Sequence, residues 1–167
     1  SLLVNNRIRL SSEAINGHQS LEYMDIFGLH GRKMPAPEIN IDIEAGRHLL
    51  NTLSPTLKNH KLLAVIPGAA YGPAKMWPTE YFIETAEMLI NKSIAEKVII
   101  LGTHKEFDVC EQVRSALSGN AFNLAGRTSL KQLTSLLAHG SLTITNDSGG
   151  MHLASECGTK VIGIFGI

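Results

Sequence analysis

Ile144-Thr145-Asn146-Asp147-Ser148-Gly149-Gly150-Met151-His152 decides the fold: an apolar run that begins at Leu142 gives way to small polar residues and resumes as a helix-like segment. Strand, tight loop and helix start in that order are how open α/β sheets hold phosphate groups at a helix N-terminus. A second loop of this kind, Pro67-Gly68-Ala69-Ala70-Tyr71-Gly72-Pro73-Ala74-Lys75-Met76-Trp77-Pro78, follows an earlier apolar run at residues 62–67 and carries a lysine. Together the two loops point to one nucleotide-sugar site.

Between and beyond these loops the chain alternates strand and helix patterns. Pro78 opens a helix as its first residue, with Glu80 in the first turn and Phe82, Ala86, Leu89 and Ile90 at helical spacing. Residues 98–101 read as a buried strand, followed by a helix with Val109, Val113 and Leu117 on one face and Gly119 as its stop. Residues 121–124 form a short third strand. Thr128 or Ser129 then caps a helix whose apolar stripe is Leu130, Leu133, Leu136 and Leu137, ending at Gly140. Residues 142–145 and 161–165 complete five strands that alternate with four helices. This pattern predicts a doubly wound, parallel, Rossmann-like α/β sheet, because each crossover helix must bury its stripe on the sheet. In such a sheet the loops after strand C-termini share one edge, so residues 68–77, 102–106, 125–128 and 146–150 converge there.

Upstream, residues 31–37 have a linker composition, residues 39–43 alternate as an edge strand would, and residues 44–53 suit a helix. Residues 18–29 present an imperfect helical face through Leu21, Met24, Ile26, Phe27 and Leu29. At 167 residues and 44% apolar content the chain suits one ordinary core. Net charge is zero, so no chain-wide field draws nucleic acid, and no nucleic-acid partner is expected. No run reaches the roughly 20 apolar residues that span a bilayer. Cys110 and Cys157, the two cysteines, show no metal or disulfide spacing and read as core thiols of a cytoplasmic protein. The chain starts inside an apolar run and stops as a strand ends, as a piece of a longer polypeptide would.

Each candidate residue has an ordinary alternative. Asp147 either caps its own helix or faces a ligand at the helix N-terminus; Gly149 and Gly150 favour the ligand, since capping does not need them and close backbone approach does. Lys75, between two prolines, is either solvated or reaches a phosphate. His152, one turn into the helix, is either structural or hydrogen-bonds a phosphate or sugar hydroxyl. Glu106 is either a first-turn acid or a ribose acceptor. Thr128 is an N-cap or a ligand contact, and Trp77 and Phe82 are packing residues. Neither GxGxxG nor GxxxxGK[ST] occurs, which disfavours a nicotinamide dehydrogenase and a P-loop NTPase. The seven histidines show no metal spacing, so neither metal nor cofactor is expected.

The loops resemble those of the ADP-heptose:lipopolysaccharide heptosyltransferases, glycosyltransferase family 9, and most nearly the heptosyltransferase II type. The resemblance is carried by Gly72-Pro73-Ala74-Lys75-Met76-Trp77-Pro78, by Leu124-Ala125-Gly126-Arg127-Thr128-Ser129-Leu130, and by Thr145-Asn146-Asp147-Ser148-Gly149-Gly150-Met151-His152-Leu153-Ala154, in the family's order. It implies a GT-B enzyme of two halves. Residues 1–30 would be the tail of the N-terminal acceptor half with the interdomain segment, and residues 31–167 the C-terminal donor-binding domain, truncated at its end.

The reaction implied is inverting transfer of heptose from ADP-heptose to the inner core of lipopolysaccharide. The catalytic base would lie in the N-terminal half outside this chain, so these residues alone should be inactive. Lys75 would stabilise the leaving diphosphate with the loop of Ala70 and Tyr71, and Ser148, Gly149 and Gly150 would supply backbone donors. Asp147 would orient the sugar or its loop, Glu106 the ribose, Thr128 the adenine edge and His152 the heptose or phosphate. The acceptor would be met through the other half, with peripheral association at the cytoplasmic face of the inner membrane. Alternatives are another GT-B glycosyltransferase, a sugar-nucleotide epimerase, or a noncatalytic nucleotide-binding module.

Overall fold

The computed structural model describes residues 10–17, 19–29, 32, 39–69 and 76–165. The chain divides into two compact units, residues 1–38 and 39–167. In the first, helices α1 (Ser12–Asn16) and α2 (Gln19–Ile26) pack on each other, and the Ser11 amide donates to the Asp25 carboxylate at 2.7 Å.

The second unit is an all-parallel sheet of β1 (Leu62–Ile66), β2 (Lys97–Ile100), β3 (Ala121–Asn123), β4 (Leu142–Asn146) and β5 (Val161–Ile164), in the order β3-β2-β1-β4-β5. Helices α4 (Thr79–Asn91), α5 (Phe107–Ala116), α6 (Leu130–His139) and α7 (Gly149–Glu156) connect successive strands, and α3 (Ile43–Leu53) precedes β1. The doubly wound α/β expectation is met. β1 is buried along its whole length because both its faces are covered. Leu63 and Val65 point to one layer with Phe82, Ala86 and Leu89 of α4 and Cys110 and Val113 of α5. Leu62, Ala64 and Ile66 point to the other, with Leu50 of α3, Leu136 and Leu137 of α6 and Ala154 of α7. Cys110 and Cys157 are both buried, as core thiols should be.

Residues 39–43 correct the sequence reading. They form no strand: Asp42 is the N-cap of α3, its carboxylate accepting from the Ala45 amide at 3.3 Å and pairing with Lys131 of α6 at 3.1 Å. Capping and docking on α6 override the apolar alternation. The Gly46 amide donates to Ser135 Oγ at 2.9 Å, and a side chain at Gly46 would collide with Ser135, so the two helices meet at a contact that propensity does not reveal. Pro78 is an N-cap and not the first helical residue, and α5 gives way at Leu117 with Ser118 in the left-handed region, φ 40°, one residue before the expected Gly119. The linker-like residues 31 and 33–37 lie outside the described residues.

The chain leaves β1 toward β2 and β3, then returns to β4 on β1's other side, which makes the β1–β4 boundary the switch point of the sheet. Ligands of open α/β sheets bind at the strand C-termini beside that boundary.

Candidate functional site

At that rim the loops following β1 to β4 surround a cavity of about 420 Å³, a size typical of small-ligand sites. Gly68 comes from the first loop, Gly102, Thr103 and Glu106 from the second, Gly126 and Thr128 from the third, and Ser148, Gly149 and Gly150 from the fourth. Ile66, Leu130 and Leu133 add apolar surface. Each of the four loops thus reaches the cavity among the described residues, the first through Gly68.

The fourth loop delivers the N-terminus of α7. Its N-cap is Ser148, not Asp147, and the Ser148 hydroxyl makes no capping bond; it lies 3.3 Å from Thr145 Oγ1. By contrast, α6 is closed by a full capping box in which Ser129 accepts from the Gln132 amide and the Gln132 side chain accepts from the Ser129 amide at 2.9 Å. Of the two possible caps, Ser129 serves and Thr128 faces the cavity. The positive end of the α7 dipole is thus presented to the cavity without its N-cap hydroxyl across it. The two glycines have different reasons to be there. A Cβ at Gly150 would stand 2.7 Å from Ile66 Cδ1, so the end of that side chain would have to shift, whereas a Cβ at Gly149 would meet nothing within 4 Å.

The second loop turns through a 3-10 segment, His104–Glu106. Glu106 Oε2 accepts from the Thr103 amide at 2.6 Å and the Thr103 hydroxyl at 2.7 Å. This is a capping box, and Thr103-x-x-Glu106 is its readable signature. Glu106 therefore does the ordinary job of a first-turn acid and also lines the cavity, with Oε1 against Gly68. Below it, Cys110 Sγ donates to the Leu101 carbonyl at 3.7 Å; burial, reinforced by the Glu106 carboxylate, pushes its thiol up to about 12. The third loop crosses the second closely. Gly126 has φ 70°, its amide donates to the Gly102 carbonyl at 2.9 Å, and a side chain there would strike the His104 backbone. Asn123, at the end of β3, braces this loop: its Oδ1 accepts from the Ala125 amide at 3.0 Å and its Nδ2 donates to Glu111 at 2.9 Å.

Asn146 ties the root of the fourth loop to the first. It ends β4 and is fully buried, donating from Nδ2 to the Pro67 carbonyl at 2.7 Å and accepting at Oδ1 from the Trp77 amide at 2.9 Å. Trp77 in turn packs edge-on against Phe82 at 5.1 Å and tilted against Tyr81 at 5.4 Å, so Trp77 and Phe82 are the packing residues expected.

Of the expected site residues, Glu106, Thr128, Ser148, Gly149 and Gly150 line one cavity. Asp147 and His152 do not line it: the Asp147 amide donates to the Ile164 carbonyl at 2.9 Å, and His152 lies on the exposed face of α7. Ala70, Tyr71 and Lys75 lie outside the described residues. Leu130, expected in the core stripe of α6, is 69% exposed at the cavity, while Leu136 and Leu137 fill the core. Among the described residues no helix is long and apolar enough to cross a membrane.

The model of glycosyltransferase family 9 (heptosyltransferase) matches residues 3–167. Lipooligosaccharide heptosyltransferase 2 of Haemophilus influenzae is 37% identical over 114 residues, which are 66% of this chain and 32% of that protein. Lipopolysaccharide heptosyltransferase 2 of Salmonella typhimurium is 35% identical over 109 residues, 63% of this chain and 31% of that protein. The chain thus spans about a third of the length of these relatives. Among solved structures, E. coli ADP-heptose lps heptosyltransferase II superposes with a TM-score of 0.73 at 27% identity, over 83% of this chain and 42% of that one. A family 9 glycosyl transferase from Veillonella parvula shares the fold, with a TM-score of 0.76 at 19% identity over 96% of this chain and 46% of that one.

Proposed function

Because the chain belongs to glycosyltransferase family 9, the heptosyltransferases, we propose that its rim cavity receives the ADP moiety of an ADP-heptose donor. The observation that carries this reading is the grouping of three unlike surfaces around one space: the apolar side chains of Ile66, Leu130 and Leu133, the Glu106 carboxylate, and the N-terminus of α7 at Gly149. A nucleoside diphosphate has a complement to each. The purine lies on the apolar side chains with Thr128 at its edge, the ribose hydroxyls donate to Glu106, and the diphosphate meets the amides of the Ser148–Gly150 turn.

The intact enzyme transfers heptose with inversion to an inner-core lipopolysaccharide acceptor at the cytoplasmic face of the inner membrane. Positive charge grows on the sugar and negative charge on the departing diphosphate, so the α7 dipole and Lys75 are worth most in the transition state. Ala70 and Tyr71 hold the same diphosphate, Asp147 orients the sugar or its loop, and His152 reaches the heptose or a phosphate. The base belongs to the acceptor half, of which residues 1–30 are the tail. Residues 31–167 are the donor-binding domain.

Calorimetric titration of the full-length enzyme with ADP-heptose, ADP and a set of UDP-sugars tests the reading. ADP-heptose should bind and UDP-sugars should not. Preference for a UDP-sugar would overturn the donor assignment. Complementation of a heptose-deficient strain by the full-length gene tests the reaction itself, and failure despite stable expression would count against it.

A further inference from the structure

We infer that Asn146 is a positioning residue for the donor's diphosphate, an inference that rests on the reading of the cavity as an ADP site. Asn146 is 0% exposed and sits where β4 ends, immediately before the turn that leads into α7. Its carboxamide is used at both ends. Nδ2 donates to the Pro67 carbonyl at 2.7 Å, with the Gly68 carbonyl 3.5 Å away, and Oδ1 accepts from the Trp77 amide at 2.9 Å. Pro67 and Trp77 bracket residues 68–76, the segment that carries Lys75 in sequence.

One side chain therefore fastens both roots of the first rim loop to the root of the fourth. The main-chain ladder alone does not do this: β1 and β4 are in register only as far as Ile66 opposite Thr145, one residue short of the loops. Beyond that point, among the described residues, the Asn146 amide is the hydrogen-bonded link between the first loop and the end of β4, beside the close packing of Gly150 on Ile66. The anchored ends are themselves stiff, since Pro67 follows the fully buried β1 and Trp77 is packed on Phe82. The chemistry demands asparagine: aspartate accepts from Trp77 but has no proton for Pro67, and serine is too short to span both. Loss of either arm leaves a polar backbone group facing a buried site.

The consequence is selective. The purine contacts assigned to Leu130, Leu133 and Thr128 stand on α6 and the loop before it, away from the clamp, whereas the diphosphate must be met from both sides of the β1–β4 boundary. Full-length Asn146→Asp and Asn146→Ser should each weaken ADP by about tenfold while leaving adenosine within about twofold, as measured by calorimetry for ADP and ligand-detected NMR for adenosine. Far-UV circular dichroism and Tm establish that each variant is folded, and the serine variant serves if the buried aspartate prevents folding. Equal losses for ADP and adenosine, or no loss for either, would overturn the clamp. Failure of the wild-type enzyme to bind ADP would instead overturn the nucleotide reading.

Discussion

The carboxylate of Glu106 occupies the space that a side chain at Gly68 would need. The first and second rim loops are therefore interlocked through the absence of one Cβ. Gly68→Ala should expel Glu106 from its capping box with Thr103 and cost about 1–3 kcal/mol of stability. ADP affinity of the full-length enzyme should fall with it, by about tenfold. A thermal melt and a calorimetric titration check the two effects, and an unchanged ADP affinity would separate Glu106 from the ligand.

Gly149 and Gly150 should respond differently to alanine. At Gly150 the methyl forces the end of the Ile66 side chain to shift, so Gly150→Ala should be less stable than Gly149→Ala by about 1 kcal/mol. At Gly149 it meets no protein atom, and replacing a helical glycine should leave stability equal or raise it by up to about 1 kcal/mol. The same methyl stands at the mouth of the α7 N-terminus, so Gly149→Ala should nonetheless weaken ADP. Equal Tm losses for the two variants would contradict the difference in packing.

Glu111 supplies a pH dependence with a definite sign. Hydrogen bonds from Asn123 and then Arg114 hold its carboxyl below the ordinary glutamate value. A group whose pKa is lower folded than unfolded adds stability above its unfolded value, about 4.3, and loses it as pH falls through the folded one. The Tm advantage of wild type over Glu111→Gln should therefore be constant near neutrality and shrink in acid. A gap that widened as pH fell would show the sign to be wrong.

Both thiols should be inert in the folded protein. Cys110 is fully buried with its thiol pushed up to about 12, and burial raises Cys157 as well. At pH 8 an aromatic disulfide reagent should label neither peptide on the timescale of a free thiol, and both after denaturation. Rapid native labelling of Cys110, read by mass spectrometry, would mean that the layer beneath Glu106 opens.

The strands were legible because a parallel sheet covered on both faces requires apolar runs, and residues 62–66 and 98–100 have that character, while β4 alternates Leu142 and Ile144 with buried threonines. The rim position of Glu106, Thr128 and Ser148–Gly150 then followed from topology alone. What could not be read depends on distant partners. The alternation of residues 39–43 gives no hint that Asp42 will cap α3 and meet Lys131. Asn146 looks like one more polar loop residue until Pro67, 79 positions away, is placed beside it. Gly68 is indistinguishable from a turn glycine without Glu106, and the exposure of Leu130 depends on where the α6 stripe leaves the sheet.

β1 at the centre of the sheet also governs how the chain must be born. Its other neighbour in the strand order, β4, is translated only after α4, β2, α5, β3 and α6. Until then Leu62–Ile66 has one uncovered edge and apolar faces in search of cover, the kind of surface that nascent-chain chaperones shield. The rim cavity, which needs the loop after β4, is accordingly among the last features to assemble, and a chain halted ahead of residue 142 should aggregate.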